Sequence, residues 1–284
     1  MFYTCAQAGI RPAREASTQL PEGVSTVRRL VLLTAVAVVA ITAVAYAVTD
    51  TVTYSSKMSY KGKPTKSKPA NLAYTGILHV DTDPPGNQPE TAPSTSVYYS
   101  KAVKNNAPLF PFCNKSEIDG ASTFPSKCNK AIVGTGTASS LAGSPGSPAS
   151  QSVREDLNVK AVNGPKGKAI FLVLTSKPGA PVAINNRVVV GTVVKASGTF
   201  GFLTRFDVPP DLQEQLGLKI ALTDFNVKIS GTPRTFTVKG KKVKVAYLQL
   251  TSCPGTLPVK AIATFRDNDT GASKPVTSTS SAKC

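Results

Sequence analysis

The chain has 284 residues, with 33 lysines and arginines against 16 acids and a formal charge of +17. One histidine and the lack of any Cys-x-x-Cys spacing exclude a multi-imidazole metal centre and a redox dithiol. The positive surplus bears on solubility and on anionic partners, not on fold.

Residues 30–48 read LVLLTAVAVVAITAVAYAV, without a charge, directly after Arg28 and Arg29. A positive flank, an apolar run and small residues at Ala45 and Ala47 make a secretory signal, with cleavage expected before Val48. The run is also long enough to span a bilayer, for which roughly 20 apolar residues suffice, so a retained single-span anchor is the competing expectation. Residues 1–29 mix Pro12, Glu15, Pro21 and Glu22 without periodicity and read as an n-region, or as an extension upstream of a true start at Val24. Lys57, Lys61, Lys63, Lys66 and Lys68 follow the run, but Arg28 and Arg29 abut it, and long downstream domains cross largely regardless of charge. The expected location is extracellular or cell-surface.

Removing the leader through Ala47 lowers lysine plus arginine from 33 to 29 and the acids from 16 to 14, leaving +15. Cys5 goes with it, and Cys113, Cys128, Cys253 and Cys284 remain, an even set that suits an oxidising compartment. Three pairings are open to four cysteines. Loop-closure entropy favours near neighbours, so Cys113 with Cys128 and Cys253 with Cys284 is expected.

Residues 48–70 are polar and lysine-rich and read as a basic tether into one exported domain, residues 71–284. Strands are predicted over residues 71–80 and 96–103, separated by the turn formers of residues 83–93. The stretch SSLAGSPGSPASQS at residues 139–152 reads as a flexible loop, and two lobes divided there are an alternative to a single one. Residues 157–162 and 169–175 form a hairpin across NGPKGK, and residues 170–174 are apolar on both faces, as a strand covered on both sides requires. Residues 181–184, 188–195 and 198–206 continue the pattern until Val208-Pro-Pro-Asp-Leu breaks it. Leu218, Ile220 and Leu222 alternate on one phase and Phe225, Val227 and Ile229 on the other, which predicts a β-bulge near Asp224. Residues 235–238 and 243–250 flank Lys239-Gly240-Lys241-Lys242 as a hairpin, and residues 259–265 form the last predicted strand. The fold class expected is all-β, an antiparallel β-sandwich preceded by one hydrophobic helix.

The stretch Pro111-Phe112-Cys113 through Cys128-Asn129-Lys130-Ala131-Ile132-Val133-Gly134-Thr135-Gly136-Thr137-Ala138, with Ser252-Cys253-Pro254 later, resembles a group of uncharacterised exported proteins of high-GC Gram-positive bacteria. In that group proline usually follows the second cysteine, where this chain has Asn129. The resemblance covers about residues 97–265 and implies an extracellular β-rich fold without an activity to carry over.

Four constellations bear on chemistry. Gly134-Thr135-Gly136-Thr137-Ala138 lacks the third glycine and the helix of a dinucleotide site and reads as a glycine-permitted strand or bend. His79, Asp81 and Asp83 share one strand face and read as a solvated strand end. Asp267 and Asp269, in Asp-Asn-Asp-Thr-Gly, are candidate calcium ligands, with an inter-strand turn as the plainer reading. Glu117, Asp119, Glu155, Asp156, Asp207 and Asp211 are the acids that could supply a carboxylate pair for sugar cleavage. No cofactor and no nucleic-acid partner is expected. The leading expectation is a non-enzymatic module that binds or scaffolds at the anionic cell envelope, whether wall polymer or lipid headgroups, and a carbohydrate-active hydrolase is the alternative.

Overall fold

The computed structural model describes residues 48–284. The leader with Ala45, Ala47 and Cys5, and the expected hydrophobic helix, lie outside them. Among the described residues no helix is long and apolar enough to cross a membrane.

The chain forms β1 (Thr49–Ser59), β2 (Ala70–Asp83), β3 (Ser94–Ser100), β4 (Val103–Asn105), helix α1 (Lys115–Ile118), β5 (Ile132–Gly143), β6 (Val153–Asn163), β7 (Ala169–Ser176) and β8 (Arg187–Lys195). It continues with β9 (Phe200–Asp207), β10 (Glu214–Gln215), β11 (Leu218–Ile229), β12 (Arg234–Val238), β13 (Lys241–Val245), β14 (Leu248–Leu250), β15 (Thr256–Arg266) and β16 (Ser273–Lys283). Fourteen strands make one antiparallel sheet in the order β16-β15-β3-β9-β8-β7-β6-β5-β11-β2-β14-β4, with β1 beside β2 and β10 beside β11, while β12 and β13 pair separately.

This corrects five expectations. The sandwich gives way to a single curled sheet. The tether is half strand: TDTVTYSSKMS places β-branched and aromatic residues where β1 pairs with β2 along its whole length, and Tyr54 is buried. The loop at residues 139–152 begins as strand, because Ser139 to Gly143 complete β5 and pair with both β6 and β11, so the sheet is continuous across the proposed lobe boundary. Residues 181–184 are not strand, and residues 273–283, beyond the last predicted strand, are β16. The bulge stands where the phase change put it: the register of β11 against β5 shifts between Leu222 and Asp224.

The sheet curls until β1 lies against β16, where the Tyr54 N–H donates to Ser278 Oγ at 2.9 Å. Eleven strands follow one another from β1 through β2, β11, β5, β6, β7, β8, β9, β3 and β15 to β16. An odd number of strands alternating in direction makes the two at the seam run the same way. Alternate residues turn inward, including Leu72 and Tyr74 of β2, Val159 and Ala161 of β6 and Val259 and Ala261 of β15, all buried in the interior clusters. The outer face of β6 to β8 is covered too. Phe171, Val173 and Val188 pack there against Cys113, Ile118 and Cys128, which explains why residues 170–174 are apolar on both faces.

The cysteines pair Cys113 with Cys128 and Cys253 with Cys284, at Cα separations of 5.5 and 5.6 Å. The described residues form one compact unit that holds both disulfides and three buried clusters.

Candidate functional site: a lysine-rich end and the carboxylates opposite

Antiparallel neighbours send successive turns to opposite ends of the sheet. At one end lie residues 60–69, residues 101–112 after β3, the β6-β7 turn at residues 164–168 and residues 230–255 with the β12-β13 hairpin. Those four segments carry twelve lysines and Arg234 and not one acid. All twelve lysines are exposed, and none takes part in an ion pair among the described residues. Arg234 is structural: it stacks on Phe110 and donates to the carbonyls of Lys130 and Ile132.

The opposite end holds most of the acids, and several of them are in ion pairs. Lys274 bridges Asp267 Oδ2 at 2.5 Å and Glu90 Oε1 at 3.6 Å. Arg205 pairs with Asp207, Lys219 with Glu214 and Arg154 with Asp156. Asp50, in β1, accepts the Glu90 N–H at 2.9 Å, and burial pushes its carboxyl up to about 6. Glu117 and Asp119 are exceptions to this placement, riding on the outer-face loop.

The residues singled out in the sequence can be placed one by one. Asp267 Oδ1 accepts the N–H groups of Asp269 and Thr270 while Oδ2 holds Lys274, and that pairing with Lys274 lowers its pKa. The carboxylate is thus consumed by its own turn, and Asp269 stands exposed. His79 Nδ1 meets Asp224 Oδ1 across strands at 2.9 Å, whereas Asp81 Oδ1 accepts the Thr82 N–H at 2.8 Å, so the His79, Asp81 and Asp83 trio does not converge. His79, Asp81, Ser152 and Arg154 line an open cleft of about 360 Å³.

The six acids of the hydrolase alternative are each engaged elsewhere. Asp119 and Asp211 both bind Arg187, Glu117 pairs with Lys127, and Asp156 and Asp207 hold arginines. Glu155 is buried and accepts from Ser176 Oγ at 2.6 Å. Cys113, Cys128 and Glu117 also gather closely, but the disulfide leaves no thiolate to ligate a metal. In the glycine run, a Cβ at Gly136 would stand 2.0 Å from the Asn226 carbonyl oxygen, so the glycines admit β11 rather than a phosphate.

No family model, curated protein or solved structure matches this chain. The lysines at residues 57–68 and 239–244 are visible in the sequence, but their meeting at one end is not. The missing signal was turn parity, which becomes readable once β1 is counted as a strand.

Proposed function

We propose that this is an exported, non-enzymatic β module that binds or scaffolds at an anionic cell envelope through its lysine-rich end. The observation that supports it is the segregation of charge: exposed, unpaired lysines on four turns at one end, with every nearby acid absent from those turns. A polyanionic partner holds condensed counterions that such a lysine surface displaces, which drives association and makes it salt-dependent. Two disulfides agree with an oxidising location, and the leader and the likeness to exported proteins belong to the same proposal.

The test is retention of residues 48–284 on isolated cell envelopes across a salt series. The expected result is binding at low ionic strength, with log affinity falling linearly in log salt. Replacing Lys239, Lys241, Lys242 and Lys244 with glutamine should weaken it and flatten the slope, whereas Arg205→Gln at the other end should leave both unchanged. Absence of retention at low salt, or retention indifferent to salt, would overturn the proposal.

A further inference from the structure

We propose that the lysine-rich end docks on an anionic lipid surface, with Leu109 and Phe112 entering the interface between headgroups and acyl chains. This rests on the charge reading above and commits it to one partner. Leu109 and Phe112 are 37% and 53% exposed, two of the few large apolar side chains open to solvent.

Their exposure is built, not frayed. Asn163 is fully buried, and its amide nitrogen lies 3.1 Å from the carbonyl oxygens of Ala107, Phe110 and Pro111. Its Oδ1 accepts the Tyr247 hydroxyl at 3.0 Å, and its own carbonyl accepts the Cys113 N–H at 3.1 Å. Phe110 turns inward, edge-on to Tyr247 with ring centroids 5.2 Å apart. Clamped in this way, the loop holds Leu109 and Phe112 outward on a rigid base.

Lysines border the base. The loop packs on the β6-β7 turn so closely that a Cβ at Gly167 would lie 2.5 Å from the Pro108 nitrogen, and that turn carries exposed Lys166 and Lys168. Exposed Lys104 precedes the loop, and exposed Lys195 follows Val194, itself 44% exposed. Apolar tips bordered by lysines suit a surface that is anionic outside and apolar beneath, where the tips bury and the lysines stay at headgroup level. A soluble polyanion would use the lysines and leave Leu109 and Phe112 wet. The exposed leucines at the other end, Leu216 and Leu218, follow Glu214, and the lysine beside them, Lys219, is taken up by pairing with Glu214.

The chain has no tryptophan, so Phe112→Trp and Leu216→Trp each introduce a single reporter into residues 48–284. With vesicles of phosphatidylglycerol and phosphatidylcholine, the reporter at position 112 should shift to the blue and the one at position 216 should not. The pair Leu109→Ser and Phe112→Ser should cut affinity for these vesicles about ten- to a hundredfold and leave binding to soluble polyphosphate unchanged, with an unaltered near-UV circular dichroism spectrum. An unshifted reporter at position 112, or equal vesicle binding by the serine variant, would overturn lipid docking even if charge-dependent binding to polyphosphate persists. Failure of the parent protein to bind either probe at low salt would instead overturn the charge reading itself.

Discussion

The hydroxyl of Tyr247 donates to Asn163 Oδ1 at 3.0 Å, joining two residues 84 positions apart in the buried base of the lysine-rich end. Asn163→Ala would leave the Phe110 and Pro111 carbonyls and that hydroxyl without this partner, while the Ala107 carbonyl keeps the Phe110 N–H. The expected loss is about 2 to 4 kcal/mol, read as a lowered urea midpoint. Tyr247→Phe removes one bond and should cost about 1 kcal/mol. Equal midpoints for parent and Asn163→Ala would refute the clamp.

Two glycines with the same backbone sign should respond unequally. Gly167 and Gly198 have φ of +63° and +68°, but only Gly167 faces a crowded neighbour, while nothing lies within 4 Å of a Cβ at Gly198. Gly198→Ala should cost the left-handed strain alone, about 1 kcal/mol. Gly167→Ala adds a clash with the backbone at Pro108 and should cost more, and thermal melts of the two variants decide the order.

Asp50 sets a pH dependence of unusual sign. Burial holds its proton up to about 6, against an ordinary value of 3.8, so between those values the folded state binds the proton more tightly than the unfolded chain. Its contribution is complete below the unfolded value and is lost as pH rises through about 6. Asp267, lowered by Lys274, works the other way and loses its contribution as pH falls. Melting temperature should therefore decline between about pH 4 and 6, and Asp50→Asn should flatten that decline. A slope unchanged in the variant would assign it to another group.

The Cys253 to Cys284 disulfide closes 31 residues that include all of β15 and β16, and the Cys284 N–H also reaches the Gly255 carbonyl at 3.1 Å. Cys284→Ser, paired with Cys253→Ser, should cost about 3 to 4 kcal/mol from the loop length. Amide exchange in β16 should rise more than in β6, because β16 lies at the seam and its one ladder is with β15. Uniform exchange across both strands would argue against a local role.

Much of the fold was legible locally. Leu218 to Ile229 change phase at the bulge because one extra residue flips every later side chain to the other face. The hairpin of β6 and β7 was legible in NGPKGK, and the doubly apolar Ile170 to Leu174 in its covered position. Besides the two-residue β10, the strands missed include β1 and β16, the two that meet at the seam. Their many exposed serines, threonines and lysines imitate a tether and a tail, since an edge strand buries little side chain to mark it. Of the site, the lysines at residues 57–68 and 239–244 were visible, but neither their union with Lys104, Lys166 and Lys168 nor the outward setting of Leu109 and Phe112 was.

By itself the sequence determined a basic, β-rich chain with cysteines suited to near-neighbour bridges, because alternation, turn residues and loop entropy act over short separations. The order of the strands, the seam and the sorting of charge to opposite ends were decided by tertiary structure alone. Each depends on which distant strands become neighbours, and antiparallel pairing then gathers turns more than a hundred residues apart onto one surface.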